Sequence, residues 1–479
     1  MESNLLTKFL KLMSKNISES DLDLIQLGKT LGLDLVSFAD LRASQDDIFV
    51  NTIRDTALKK MEKFHDNYLS NNDSFYAGSV DFMVCDYING KKFFLLETNG
   101  GSHRGLSIIT KDQQNILYDG YYEAIHQAII NDKRRDGKVF VLVGVPVNDG
   151  LIHEKIIMVE YLRKKLKSNN FKVKIFNTNN YNKDFEASII FLIADYKQLS
   201  DSLSYSENWL KYKSDRISVI IGDGVVRRFK NDSFSKIISK DFRKIQTIFV
   251  NPIYKITDDK SLTYLASYFS KKHLNRYNLK YLLFTKAFNE KDLINKLKYL
   301  IEKYNQEFII KPSGGSGGAG IVPISKDSNT LRIKKMIKLS KKEFFAKFTE
   351  NRDPYPYTIQ EKANFSLIDW RNGRHTFDLR IYLALKDKKV IPVGGLARIA
   401  RGAYITGVNK QEFVVNLSGY DGQIEVERGI GFSEESSKIL NLNSEDFINM
   451  FCIGCVIFKS IVENYEKIIN FSDWEKIIG

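Results

Sequence analysis

A mixed α/β chain with more than one subdomain is what the sequence predicts, and three observations predict it. Between residues 138 and 250, apolar strand-like runs alternate with amphipathic helical segments, the pattern that builds a parallel sheet. Outside that stretch the strand-like runs come in succession, as antiparallel sheets require. At 479 residues the chain exceeds one ordinary core and suits two to four packed subdomains.

The elements follow in order. From residue 1 to about 75 the pattern is helical, with Leu and Ile at helix-face spacing in ESDLDLIQLGKTLGL and again in DDIFVNTIRDTALKKMEKFHDNYL. The period then changes: YAGSVDFMVCDY and KKFFLLETN are strand runs joined through Ile88-Asn89-Gly90, a hairpin turn. After the basic NDKRRDGK, the runs VFVLVGVPV, VKIFN, ASIIFLIAD and ISVIIGDGV enclose helices such as EKIIMVEYLRKKLKSNN. Residues 260–305 are again helical. FDLRIYLAL, VIPVGGLARIA and EFVVNLSG then give three expected strands, and a helix from about 444 to 468 closes the chain.

Composition narrows the function. The formal charge of +14 is dispersed along the chain rather than clustered, which disfavours nucleic acid and favours an anionic small substrate. Three cysteines cannot staple a chain this long, so a reducing compartment is expected. Cys452-Ile-Gly-Cys455 lies in an apolar helical run with no second pair and no nearby His, and reads as a buried turn of helix. No signal-peptide pattern opens the chain and no run of about 18 apolar residues occurs in it. A cytoplasmic protein without a membrane partner is therefore expected. The sequence does not address the oligomeric state.

FIIKPSGGSGGAGIVPI contains G-x-G-x-x-G at Gly315, Gly317 and Gly320. A dinucleotide fold needs a helix after that loop to hold the pyrophosphate, and here IVPI, a strand-like run with Pro323, follows instead. A Walker loop needs Lys and Ser or Thr after the last glycine, whereas Ile321 and Val322 stand there. What remains is strand, glycine loop, strand. This is either a surface turn or a lid whose backbone N–H groups fold over phosphates above Lys311.

The second constellation is Glu97-Thr98-Asn99. On a strand, residues at i and i+2 point to one face and can chelate a hard cation such as Mg²⁺. Asp81 is the third candidate ligand if it shares that face. A two-residue Asn89-Gly90 loop would put Asp81 opposite Thr98, while a bulged three-residue Ile88-Asn89-Gly90 loop puts it opposite Glu97, so a metal site predicts the bulged turn. The alternative leaves Glu97 and Asn99 as ordinary residues of a solvated strand end.

Together these pieces resemble the ATP-grasp superfamily: Lys311, the glycine lid, Ile359-Gln360-Glu361-Lys362, Asp378-Leu379-Arg380, Leu396-Ala397-Arg398 and Asn416-Leu417-Ser418-Gly419 follow in the family's order. Asp81 and Glu97-x-Asn99 come first instead of last, which resembles the circularly permuted ATP-grasp group related to the synthetase part of glutathionylspermidine synthase. The likeness spans roughly residues 70–425. It implies a metal hairpin of the core with N-terminal helices in 1–132, an inserted Rossmann-like pre-ATP-grasp domain in 133–255, and lid and nucleotide-binding subdomains in 256–479.

Carried over by position, the resemblance implies that Lys260 and Lys311 contact ATP phosphates and that Gly314, Gly315, Ser316, Gly317 and Gly318 close over them. Gln360, Glu361 and Lys362 border the adenine, and Asp81, Glu97 and Asn99 hold Mg²⁺. The implied reaction is ADP-forming: a small-molecule or peptide carboxylate becomes an acyl phosphate that an amine captures. Such chemistry is positioning and charge neutralisation. Arg380, Arg398 and Arg104 are the catalytic candidates, with Arg401 a weaker one, since guanidinium matches phosphoryl or carboxylate oxygens in bidentate fashion. Salt-bridged sheet positions are the alternative for Arg380 and Arg398. A kinase on the same fold, or a nucleotide-binding protein without catalysis, remains the rival function.

Overall fold

A computed structural model of the chain describes residues 46–478 except 71–74, 101–105, 107–108, 133–137, 146–150, 179–180, 182–186, 200–201, 230, 241, 316, 349–351, 372, 408 and 418–424. The helical reading of ESDLDLIQLGKTLGL, Arg104 and Ser316 lie outside the described residues. The described residues form two compact units, one of residues 118–250 with 425–426, the other of 46–117, 251–417 and 427–478. Among them, no helix is long and apolar enough to cross a membrane.

The larger unit opens with helix α1 (Asp47–Glu62), started by the Asp46 side chain accepting from Phe49 N–H. Its Val50, Ile53, Ala57 and Met61 are buried at helix-face spacing. Strands β1 (Ala77–Tyr87) and β2 (Gly90–Asn99) form the expected hairpin. The turn is not the bulged three-residue loop: Tyr87 pairs with Gly90 across a two-residue Ile88-Asn89 connection, with Gly90 at φ +102°. The extra residue sits further along, where the register shifts between Asp81 and Phe82 and leaves Leu96 as the bulge. Asp81 thereby stands opposite Glu97 after all.

Helix α2 (Lys111–Asp132) leads into the smaller unit, which contains helix α3 (Leu151–Ser168). Its parallel sheet runs β10-β9-β3-β5-β4, from β3 (Val139–Val145), β4 (Val173–Asn177), β5 (Ile189–Asp195), β9 (Val219–Ile221) and β10 (Ile248–Val250). Continuous burial of β3 and near-continuous burial of β5 explain their unbroken apolar runs. At the carboxyl end of β3 the space is already filled: a Cβ on Gly144 would lie 2.6 Å from Tyr196 and 2.3 Å from Val225. A small antiparallel sheet, β6 (Leu203–Ser206), β7 (Trp209–Tyr212) and β8 (Asp215–Arg216), had no place in the sequence reading. Its first turn is made by Glu207 and Asn208, both at positive φ, without the glycine that usually marks such a turn.

The larger unit resumes with α4 (Lys260–Phe269) and a four-stranded antiparallel sheet ordered β11-β14-β12-β13. These strands are β11 (Phe284–Ala287), β12 (Phe308–Pro312), β13 (Val322–Ile324) and β14 (Tyr357–Glu361). Helices α5 (Glu290–Tyr304) and α6 (Thr330–Lys347) supply Leu293, Leu297, Ile333 and Ile337 to the core that covers this sheet.

The remaining strands complete a six-stranded sheet around the first hairpin. It runs β18-β17-β16-β1-β2, with β15 (Leu367–Trp370) beside β16 (Gly373–Lys386), then β17 (Lys389–Ile399) and β18 (Gly429–Gly431). EFVVNLSG is not the third strand. Glu412 and Phe413 end a short helix, and the strand on the other side of β17 from β16 is β18. Helix α7 (Ser444–Glu463) is buried almost all round and packs under this sheet, with Gly454 facing Val80 and Leu383. Cys452 and Cys455 are free and fully buried there, and burial pushes both thiols up, as expected of core residues. The expected terminal helix stops at Glu463, and short helices at Tyr465–Ile469 and Glu475–Ile478 follow.

Candidate nucleotide and phosphoryl site

Helix α4 presents Lys260 at its first position. The Asp259 cap accepts from Ser261 N–H at 3.0 Å and binds Lys286 Nζ at 2.6 Å, so the helix start is fixed. The positive end of the helix then adds to the charge of Lys260. Lys260 Nζ lies 3.2 Å from Glu97 Oε2 on β2 and 3.5 Å from the carbonyl of Gly315 in the glycine loop. One side chain thus touches both constellations the sequence singled out.

Lys311 is the penultimate residue of β12 and is buried, at 6% exposure. Nζ donates to Gln360 Oε1 at 2.6 Å and to the Tyr264 hydroxyl at 2.9 Å, both neutral. Burial, then the nearby charge of Lys260, lower its pKa to about 7, against the pull of Glu97. Among the described residues its hydrogen-bond partners are neutral, so its charged form is favoured by an anion brought close to it.

Tyr264 is the residue the sequence reading missed. One turn along α4 from Lys260, its hydroxyl also donates toward Leu96 O at 2.8 Å, tying the helix, the β2 bulge and Lys311 together. The i, i+4 spacing from Lys260 was the available sign.

The glycine loop is held from several sides. Arg352 Nη1 donates to Gly314 O at 3.0 Å. Gly317 has φ +60°, and a Cβ there would lie 2.4 Å from Lys347 Nζ and 2.9 Å from Asn416 Nδ2. Gly318, at φ +76°, lies against Val414. Asn416, far along the chain, thus lies against the glycine loop.

On the large sheet, Asp81, Arg380, Asp378 and Arg398 are all buried. Arg380 grips Asp81 in bidentate fashion, Nε to Oδ1 and Nη2 to Oδ2, both at 2.7 Å. Arg398 grips Asp378 at 2.8 and 2.5 Å and reaches Asp81 Oδ2 at 2.7 Å. Burial would raise the Asp81 carboxyl, but the two guanidiniums outweigh it and hold it below the usual carboxylate range. Burial raises Asp378 despite Arg398, and the charge of Asp81 adds to the rise.

As oxygen donors for a hard cation, Glu97 and Asn99 fit. The Glu97 side chain is 32% exposed, and the Asn99 amide oxygen would be the second ligand; among the described residues its Nδ2 is buried without a partner. Asp81 already accepts three N–H bonds. Among the described residues no three His, Cys, Asp or Glu side chains form a metal-holding group.

The Gln360-Glu361-Lys362 strand is more occupied than the resemblance implies. Gln360 Oε1 is turned to Lys311 and Tyr264, Glu361 N–H donates to Leu283 O, and Lys362 N–H donates to Glu307 O. Beside Glu361 lies a cavity of about 270 Å³ lined by Leu95, Tyr264, Leu282, Leu283 and Phe284.

No family model and no curated protein matches the chain. Solved structures resemble it only distantly. A Methylobacillus flagellatus KT protein provisionally described as a γ-glutamylcysteine synthetase is 11% identical, at a TM-score of 0.43 over 87% of this chain and 93% of that one. A glutathione synthetase-like effector from Globodera pallida is 11% identical at 0.39, over 74% and 79%. D-alanyl-alanine synthetase A from Vibrio cholerae O1 is 10% identical at 0.32, over 64% and 79%. Likenesses this distant leave function to the geometry of the site.

Proposed function

We propose that the protein is an ATP-dependent ligase that activates a small carboxylate as an acyl phosphate and passes it to an amine, on a circularly permuted ATP-grasp core. The observation that carries this reading is Lys311: a buried ammonium with neutral partners, under a glycine loop and beside Lys260. A polyphosphate is the ligand that satisfies both lysines while the loop's backbone N–H groups cover it. Among the glycines, Gly314, Gly315, Gly317 and Gly318 would close over it, and Ser316 and Arg104 are proposed on the resemblance alone. The permuted order is supported by the β1–β2 hairpin sharing one sheet with β16 and β17, far apart in the chain.

Lys311 and Lys260 would hold the phosphates, and the cavity beside Glu361 has room for the base. Glu97 and Asn99 would hold Mg²⁺, with Asp81 joining only if Arg380 or Arg398 releases it; bound there, the ion neutralises charge on the transferring phosphoryl group. Arg380 and Arg398 would turn their guanidiniums to the phosphoryl or acyl-phosphate oxygens, which the carboxylates of Asp81 and Asp378 mimic.

A screen of amino acids and small peptides for ADP formation, with hydroxylamine present, tests the proposal. An acyl phosphate yields the hydroxamate, which is the expected product. ADP without hydroxamate would make the protein a kinase, and no ADP with any acid would sink the nucleotide reading.

A further inference from the structure

Two buried polar atoms on the charged face of the large sheet have no partner among the described residues: Ser79 Oγ and Asn99 Nδ2. They belong to cross-strand neighbours, Ser79 on β1 opposite Asn99 on β2, one pair along from Asp81 and Glu97. Strand periodicity puts all four side chains on one face. Ser79 is fully buried. A buried hydroxyl left without a hydrogen bond costs the fold its desolvation, and native proteins leave few such groups unless something outside the chain completes them. Both orphans can donate a hydrogen, which selects an oxygen acceptor.

We propose that the Ser79 hydroxyl, with the Asn99 amide beside it, hydrogen-bonds an oxygen of the phosphoryl group held at this end of the sheet. The inference rests on the nucleotide reading and adds to it a contact residue that no motif marks. It divides the face in two: Asp81 and Asp378 hold the arginines, while Ser79 and Asn99 meet the ligand.

The consequence runs against the usual link between stability and binding. Removing an unpaired buried hydroxyl relieves the free protein, so Ser79→Ala is expected to melt at the wild-type temperature or above it. Its affinity for the non-hydrolysable ATP analogue AMP-PNP with Mg²⁺, measured by calorimetry, is expected to fall about tenfold, the worth of one hydrogen bond to a charged group. Ser79→Cys, a weaker donor of similar size, is expected between the two. Wild-type affinity in Ser79→Ala would overturn the inference and leave the nucleotide reading standing. A melting temperature several degrees lower would overturn it too, because the hydroxyl would then be bonded within the fold. Failure of the wild-type chain to bind the analogue would condemn the nucleotide reading itself, and the inference with it.

Discussion

Two groups of charges lie within the larger unit, and they differ in kind. The Asp81–Arg380–Asp378–Arg398 network is closed: two carboxylates meet two guanidiniums, each gripped in bidentate fashion. The Lys311 side is open: among the described residues its ammonium is held by the neutral Gln360 and Tyr264, with Lys260 adding like charge and Glu97 opposing it. Removing one partner of a closed network strands a buried charge, whereas an open buried charge is one that an incoming anion would satisfy. The same burial therefore carries opposite meanings in the two places.

Breaking the closed network should have the largest effect on stability. Asp81→Ala leaves Arg380 buried without its carboxylate and is expected to cost about 3–5 kcal/mol in urea denaturation. A cost below about 1 kcal/mol would show that the arginines already have other partners. On the open side, Lys311→Met should lower ADP formation on the order of a hundredfold or more while leaving the fold at least as stable at pH 7. Full turnover in that variant, or in Glu97→Ala, would end the contrast.

The pH dependence sharpens it further. The folded pKa of Lys311, about 7, lies below the ordinary lysine value, so between the two the unfolded chain binds a proton that the folded chain does not. The stabilisation is complete above the unfolded value and is lost as pH falls toward 7. Relative to Lys311→Met, wild-type stability should rise from pH 7 to 10 by about 1.4 kcal/mol per unit, read from denaturation midpoints across that range. Parallel curves would mean that Lys311 has a partner. Smallest of all, Gly317→Ala forces an L-residue to φ +60° against Lys347 and Asn416, and should cost about 1 kcal/mol while raising the KM for ATP.

Much of this was legible in the sequence because it is local. The glycine loop, Lys311 and the run LLETN announce themselves within ten residues, and the absent helix after Gly320 disposed of the dinucleotide reading. What could not be read depends on register and on distant partners. The face of Asp81 was argued from turn length, yet the structure reaches the same pairing through a bulge at Leu96, which no residue type there announces. EFVVNLSG reads as a strand candidate for its apolar run Phe413-Val414-Val415, but its Glu412 carboxylate is taken up by the backbone N–H groups of Ile405, Thr406 and Gly407. Ser79 gave no sign at all: only burial beside an unpaired amide singles it out.

The hairpin that carries Asp81 has a further consequence, for how the protein is made. Its partner Arg380 lies 299 residues later, and β1 is enclosed in its sheet only when β16 arrives. At about 5–20 residues per second, a ribosome needs roughly 15–60 s to supply that strand. During that time β1 has a bare edge of unpaired backbone groups and a carboxylate without its guanidiniums, the kind of edge that recruits other chains. A hairpin whose sheet partner comes so much later in the chain thus faces a long vulnerable interval in synthesis, and holdase chaperones would be expected to attend the nascent chain until β16 emerges.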